Sequence, residues 1–254
     1  FCPGNISPIL TKKPSLVWVG TIGPFYYDFY KGFSFFQKIK LYLNKIMMLC
    51  SIRYSNIVIF ESNFTRDLFL NNYFNCLENS HVINIGKDEY FKPIARAMDN
   101  TSKSYSRKEE SFILCVSHLY PYKNILRMLD AYNLACEKTS TTKKLLIAGN
   151  QDYKAYNQLI KKKIKFLNLK DKVELLGPLK KEALRDLYSK CSFLIFPSPY
   201  ENFAYTLVEA MSCGAAIICS DTTAMPETCG NAAYNGHLDC LKYAHENGCP
   251  WDEK

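Results

Sequence analysis

The stretch that decides the fold is residues 196–227, FPSPYENFAYTLVEAMSCGAAIICSDTTAMPE. It begins at the end of a short apolar strand, which Pro197 ends because proline has no backbone donor for strand pairing. Residues 204–211 predict a helix capped by Gly214, and residues 215–219 predict a second buried strand. Strand, loop, helix and strand form a βαβ unit, whose ligands bind beyond the carboxyl ends of the strands.

The loop and helix of this unit carry two glutamates, Glu201 and Glu209. The backbone N–H groups of residues 203–206 begin the helix, and a helix N-terminus attracts an anion such as a diphosphate. Glu209 lies further along the helix, where it reaches a neutral pair of hydroxyls, such as those of a ribose, better than a phosphate. The stretch therefore predicts a binding site for a nucleotide diphosphate.

Strands and helices alternate through the rest of the chain. Short apolar runs predict strands at residues 16–21, 57–60, 112–116, 144–148, 173–176 and 193–196. Helical periodicity is found at residues 33–50, 125–136, 153–167 and 181–191. This alternation with short loops predicts a doubly wound parallel α/β fold.

The organisation along the chain follows from a polar, charged segment that predicts a linker. We expect four parts: a partial N-terminal α/β domain at 1–95, the linker at 96–110, a second α/β domain at 111–229 and a short helical tail at 230–254.

The two glutamates, with Glu-Ala-Met-x-Cys-Gly and the Pro-Glu at 226–227, resemble the signature of family 4 (group 1) retaining glycosyltransferases. The segments at 62–67 (SNFTRD) and 82–93 also resemble that family, and the resemblance covers about residues 5–233. It implies the GT-B fold, in which two Rossmann-like domains face a cleft: a partial acceptor-side domain at 1–95, truncated at its start, and a nucleotide-sugar-binding domain at 111–229. It also implies transfer of a hexosyl- or mannosyl-type sugar from a nucleotide-diphosphate sugar to a sugar or glycan acceptor, with retention of configuration.

The resemblance assigns roles to individual residues. Glu201 would lie near the donor sugar and the reacting centre, and Glu209 would bind the ribose hydroxyls. Lys123 matches the lysine that binds the diphosphate, and we treat Glu201 and Lys123 as the catalytic candidates. His118 stands near the position of a family arginine, which is a stronger phosphate partner than histidine. The remaining donor-binding candidates are Asn150, Asn202, Phe203, Ala204 and Tyr205.

One feature of the family is missing from the first domain. A histidine commonly follows a Thr-Ile pair there, but here Thr21 and Ile22 are followed by Gly23 and a proline. Asp28 is then a candidate for acceptor-side chemistry. The alternative function is a catalytically incomplete chain that binds a nucleotide-sugar or a protein partner. The family resemblance implies no cofactor and no metal ion, and the sequence has no cluster of metal ligands.

Composition and charge indicate a folded protein with reduced cysteines and no nucleic-acid partner. The chain has 254 residues, 48% of them hydrophobic and 14% aromatic, which is enough for a folded core. The net charge is +8, but no zinc-finger or nucleic-acid signature accompanies it, so we expect no nucleic-acid partner. The eleven cysteines form no C-x-x-C pair and favour reduced thiols in a cytoplasmic protein, although three N-x-S/T triplets oppose this.

The segment at 33–50 has two interpretations. Its apolar residues at helical spacing favour a helix packed on a sheet. Its lysines and aromatic residues also fit a helix that lies on a membrane, which would place the protein on the cytoplasmic face. We favour the first interpretation and keep peripheral membrane contact as the second.

The last residues depart from the glycosyltransferase pattern. From Cys229 the sequence CGNAAYNGHLDCLKYAHENGCPW resembles one divergent ankyrin-type repeat of the kind found in giant viruses. A single repeat cannot bury its own apolar face. This resemblance implies a helical tail that contacts a protein partner.

Overall fold

The computed structural model describes residues 2, 4–8, 11–86, 88–94, 112–139 and 143–234, with only the backbone at 231–234. The described residues divide into two compact units. The first lies within Phe1–Gly86 and adds Ser198–Tyr205 and Ser220–Gly230, and the second takes the remainder. The expected linker lies outside the described residues, as does residue 235 onward of the expected tail.

The first unit contains a three-stranded parallel sheet whose strands pair in chain order, with two α-helices before Gly86 and most of a third in its segment Ser220–Gly230. Its elements are β1 (Leu16–Val19), α1 (Phe35–Tyr54), β2 (Ile57–Phe60), α2 (Asn63–Asn72) and β3 (Ser80–Val82). The core of this unit forms around Val17, Val19, Phe60 and Phe69, which are 0% exposed. Ser62 caps α2 as predicted, because its side chain accepts a hydrogen bond from the backbone of Thr65.

The second unit contains a five-stranded parallel sheet. Its elements are β4 (Ile113–Val116), α3 (Ile125–Thr139), β5 (Leu145–Ala148), α4 (Lys154–Phe166), β6 (Val173–Gly177), α5 (Lys181–Lys190), β7 (Phe193–Phe196), α6 (Tyr205–Ser212) and β8 (Ile217–Cys219). The strand order is β6-β5-β4-β7-β8, so the chain winds outward from β4 in both directions. The doubly wound parallel α/β fold predicted from the sequence is therefore confirmed.

Helices on this sheet bury the periodic residues that the sequence shows. Ile125, Leu129 and Ile160, from α3 and α4, are fully buried against strand residues such as Leu145. Gly214 follows α6 with φ +81° and donates to the carbonyl of Met211, which is the predicted cap.

The boundary expected at residue 230 falls inside a helix, α7 (Met225–Tyr234). The ankyrin-type tail therefore stays a prediction, which the described residues do not test. No described helix is both long enough and apolar enough to cross a bilayer.

Candidate functional site

The candidate site in the second unit lies at the carboxyl edge of its sheet, where β4 and β7 are neighbours. From β4 the chain moves to β5 on one side, and it later returns to β7 on the other. The loops after β4 and β7 therefore leave in opposite directions. In open α/β sheets this switch point forms the crevice in which ligands bind.

The loop after β4 carries His118 and Lys123. His118 is exposed two residues beyond the strand. Lys123 ends a 3₁₀ turn, Pro121–Lys123, and Asn124 then takes φ +61° before α3 begins. The side chain of Asn124 donates to the carbonyl of Pro197 at 3.4 Å, so the end of the first loop meets the start of the second.

Aromatic rings hold the Lys123 ammonium at the end of the strands. Its Nζ lies 5.1 Å from the ring centroid of Tyr122 and 5.6 Å from that of Phe196, the last residue of β7. Burial raises the pKa of the Cys115 thiol in β4 to about 12, and the nearby Lys123 charge acts in the opposite direction. Lys123 thus lies beside the last residue of β7, and its role in binding a phosphate stays a prediction.

Asn150 joins this edge through the turn after β5. Its carbonyl accepts from the backbone N–H of Leu119 at 2.9 Å, and its side chain donates to Asp152 at 2.7 Å. The preceding Gly149 has φ +142°, and a Cβ there would stand 1.9 Å from the carbonyl oxygen of Ser117. Only glycine fits this close approach, which sets the direction in which the chain leaves β5.

Glu209 is half-buried on α6 and its carboxylate is oriented by α5. The hydroxyl of Tyr188 donates to Oε2 of Glu209 at 3.1 Å, and Tyr188 itself is 0% exposed. Burial raises the pKa of the Glu209 carboxyl, while Tyr188 and the charge of Lys181 act to lower it. A fixed, partly desolvated carboxylate of this kind is suited to accept hydrogen bonds from ligand hydroxyls.

Lys181 belongs to an ion pair near Glu209. Its ammonium binds the carboxylate of Asp88, and this hydrogen bond holds the pKa of Asp88 below and that of Lys181 above the ordinary values. The pair is solvent-exposed, and its two charges act on Glu209 in opposite directions.

The loop that carries Glu201 belongs to the first unit, whereas Glu209 belongs to the second. The backbone of Glu201 is held at both ends of the peptide: its N–H donates to Oγ1 of Thr223, and its carbonyl accepts from the N–H of Ala224. Beside it, the rings of Tyr200 and Tyr26 are 4.9 Å apart. Its role near the reacting centre stays a prediction.

Asn202 is 4% exposed and bonds entirely within the first unit. Its amide donates to the carbonyl of Val19 and to Oε2 of Glu61, and its oxygen accepts from the hydroxyl of Thr65. The indole of Trp18 donates to the other oxygen of Glu61 at 2.8 Å. The Asn202 side chain is thus committed to its own unit, and its predicted contact with the donor would have to come from the backbone.

The three following candidates continue the same loop. Phe203 and Ala204 are buried, whereas Tyr205 is 47% exposed and begins α6. The rings of Phe203 and Tyr205 meet edge to face at 5.6 Å. Burial, followed by the charge of Glu61, raises the pKa of the Tyr205 hydroxyl.

Packing explains the absent histidine in the first unit. Gly23 begins a 3₁₀ turn, and a Cβ on it would stand 2.2 Å from the ring of Phe29. Because Phe29 is itself buried, no side chain fits at Gly23 without repacking. Asp28, the acceptor-side candidate, forms an exposed ion pair with Lys31 at 2.7 Å.

Sequence reasoning missed two residues, one in each unit, that hold predicted site residues in place. Tyr188 lies on α5 and orients Glu209, and Glu61 follows β2 and binds Asn202. For Glu61 a signal existed, because a polar residue directly after a buried strand is expected at the carboxyl edge of a parallel sheet. Among the described residues no group of three or more His, Cys, Asp or Glu is arranged to hold a metal ion.

Known proteins resemble this chain in sequence. The sequence profile of the family described as Glycosyl transferases group 1 matches residues 98–238. O-antigen chain mannosyltransferase B of Escherichia coli is 28% identical over 130 residues, which are 51% of this chain and 34% of that protein. O-antigen chain mannosyltransferase RfbU of Salmonella typhimurium is 26% identical over 235 residues, which are 89% of this chain and 57% of that protein.

Solved structures resemble it in fold. Anabaena HepE, in complex with UDP and glucose, is similar with a TM-score of 0.62 at 20% identity, covering 85% of this chain and 55% of that one. The chain thus spans 34% and 57% of the lengths of the two mannosyltransferases above. The similar structures are glycosyltransferases of the GT-B fold, and the family profile covers more than half of this chain's residues. The chain has the GT-B fold and belongs to the group 1 glycosyl transferases.

Proposed function

We propose that this glycosyltransferase moves a hexosyl sugar, of mannosyl type, from a nucleotide-diphosphate sugar to a hydroxyl acceptor with retention of configuration, as a family 4-like enzyme. The proposal rests on two predicted site residues of the second unit that aromatic side chains hold in place: Lys123 at the ends of β4 and β7, and Glu209 on α6. The names of the mannosyltransferase relatives support the sugar, and the UDP in HepE supports the donor class.

Each predicted site residue binds a different part of the donor. Glu209, held by Tyr188, accepts hydrogen bonds from the ribose hydroxyls. Lys123 and the N-terminus of α6 stabilise the negative charge that develops on the departing diphosphate. His118 adds a weaker contact than an arginine would, and Asn150 lines the nucleoside end. Glu201 faces the donor sugar.

Calorimetric titration with GDP-mannose and UDP-glucose tests this assignment. We expect one of the two to bind, and we expect Glu209→Gln and Lys123→Ala each to weaken binding about 10- to 100-fold, because each removes a charge-assisted contact. The matched controls are Glu182→Gln and Lys190→Ala, on the exposed surface of α5. The donor site is wrongly assigned if neither sugar nucleotide binds, or if the site variants bind as tightly as the controls.

Retention is tested separately from binding. With an α-configured donor, the proposed enzyme releases an α-linked product, which the one-bond coupling between the anomeric carbon and its proton reports by NMR for mannosyl and glucosyl products alike. A β-linked product contradicts the proposed stereochemistry and leaves the donor site in place.

A second candidate function is donor binding without turnover. The glycine at position 23 favours it, because the histidine that commonly serves the acceptor side is absent there. The same titrations then give normal donor affinity, while hydrolysis and transfer assays give no product. Any transfer by the 254-residue chain above the level of a Glu201→Gln variant decides for the enzyme.

A further inference from the structure

Helix α1 of the first unit exposes an apolar face in the part of the chain that the structure describes. Its 20 residues extend about 30 Å, but its fully buried residues are only Met48, Ser51 and Ile52, close to its C-terminal end. A large set of apolar side chains remains 42% to 81% exposed: Phe35, Phe36, Ile39, Tyr42, Leu43, Ile46 and Met47.

These exposed residues form one stripe. They recur every three or four positions, which places them along one side of an α-helix. At about 100° per residue, that side is opposite the one that carries Met48 and Ile52, so the helix is apolar on both its inner and its outer face. Isolated exposed apolar residues are common on soluble proteins, but a contiguous stripe marks an interaction surface.

The charges beside the stripe have a single sign. Lys38 lies along one border and Lys40 along the other, both exposed, and α1 contains no aspartate or glutamate. Lys45 also lies near the stripe, with its ammonium 5.3 Å from the ring of Phe25. A ligand of this face must therefore be apolar and bordered by negative charge.

The start of the helix is fixed, so the stripe has a defined end. Ser34 accepts from the backbone of Gln37, and the Gln37 side chain accepts from the backbone of Ser34 at 2.9 Å. This capping box holds the first turn, which presents Phe35 and Phe36, the most exposed apolar residues of the stripe.

We propose that the outer face of α1 docks on an anionic lipid bilayer, with the aromatic and aliphatic side chains in the interface and the lysines against headgroup phosphates. Apolar side chains flanked by lysine on a helix that does not span a bilayer are what interfacial binding requires. A second copy of the chain fits this face less well. A symmetric dimer packs the same patch against itself and brings lysines together without a compensating carboxylate. The proposal is independent of the donor site.

Cosedimentation of the full chain with vesicles tests it. Wild type should bind vesicles of phosphatidylcholine with phosphatidylglycerol, and bind those of phosphatidylcholine alone at least about tenfold more weakly. On the mixed vesicles, Phe35→Ser with Phe36→Ser, and Lys38→Gln with Lys40→Gln, should each lose at least about tenfold in partitioning.

Helix α4 provides the matched control. It is also rich in lysine and exposes two large apolar residues, so we use Leu159→Ser with Phe166→Ser, and Lys161→Gln with Lys162→Gln. These pairs should change partitioning less than twofold. All the positions are exposed, and circular dichroism with a thermal melt verifies that each variant folds.

Three outcomes overturn the proposal. The first is absence of binding to the mixed vesicles, and the second is an equal loss with the α4 variants, which would reflect net charge alone. The third is a dimer in analytical ultracentrifugation that the α1 variants turn into a monomer, which would assign the face to a second copy.

Discussion

Glu61 and Glu209 are two buried or half-buried glutamates, one in each unit, and their surroundings differ. Burial raises the pKa of both carboxyls. Glu61 is 7% exposed, and each of its oxygens accepts from a side-chain N–H of its own unit, those of Trp18 and Asn202. Glu209 accepts from Tyr188 through Oε2.

The difference separates a carboxylate that serves the fold from one that serves a ligand. An ionised carboxylate offers about four acceptor positions. The acceptor positions of Glu61 receive hydrogen bonds from Trp18 and Asn202 in a buried network. For Glu209, the part of the chain that the structure describes provides one hydrogen-bond donor. Substitutions should therefore change stability at Glu61 and donor affinity at Glu209.

Asn202→Asp should give the largest effect on stability. It places a second carboxylate against Glu61, and we expect a loss of about 3 kcal/mol in the free energy of unfolding at neutral pH. One of the two carboxyls then binds a proton in the folded state at a pH where both are ionised in the unfolded chain. Stability is therefore recovered at acid pH and lost as the pH rises through the raised pKa.

Urea unfolding followed by the fluorescence of Trp18 measures this loss, with Trp251→Phe in every variant so that one tryptophan remains. Asn75→Asp, on the exposed surface of the first unit, is the control for an added charge. Equal stability of Asn202→Asp and the control at neutral pH would mean that the network contributes nothing.

The same substitution at the two glutamates gives the second test. Glu61→Gln should lower the free energy of unfolding by about 2 kcal/mol, because one amide N–H then faces the donor of Trp18 or Asn202. Glu209→Gln should change it by less than about 0.5 kcal/mol, since its oxygen still accepts from Tyr188. Fluorescence reports the first variant and far-UV circular dichroism the second. If both lose the same stability, the proposed division between the two glutamates is wrong.

The residues involved show what the sequence could predict. The strands, the helices and the Gly214 cap follow from periodicity and from backbone conformations that neighbours along the chain determine. Glu209 was found because its spacing from Glu201 lies within one βαβ unit. These features are local, and the fold class follows from their order.

The Glu61 network was not predicted, because its members are far apart in the chain. Asn202 and Glu61 are 141 positions apart, and Asn202 and Val19 are 183 apart. No periodicity connects such positions. For the same reason the sequence assigned residues 198–205 to the domain of their neighbouring strand, whereas the structure groups them with the first unit.

Glu227 provides an intermediate case, a carboxylate used as a helix cap. Its oxygens accept from the backbone N–H groups of Asn63 and Phe64 at the start of α2, at 2.8 and 2.9 Å. Glu227→Ala should cost about 1 kcal/mol in the unfolding of the first unit, and Glu227→Gln about half of that, because one acceptor remains. The Trp18 signal measures both. A loss as large as that of Glu61→Gln would show that partly exposed capping and buried pairing contribute equally here.

The smallest expected effect is the contribution of Glu209 to the pH dependence of stability. Its folded pKa is raised above 4.5, so the folded state holds the proton more strongly. This contribution is fully present below the ordinary glutamate pKa and is lost as the pH rises through the raised value. Because the carboxyl is only half-buried, the change should be about 0.5 kcal/mol. Circular-dichroism unfolding at several pH values should give a flatter curve for Glu209→Gln than for wild type. An unchanged curve would mean that Glu209 is hydrated as an ordinary surface carboxylate. Its pKa would then not be raised by burial as that of Glu61 is.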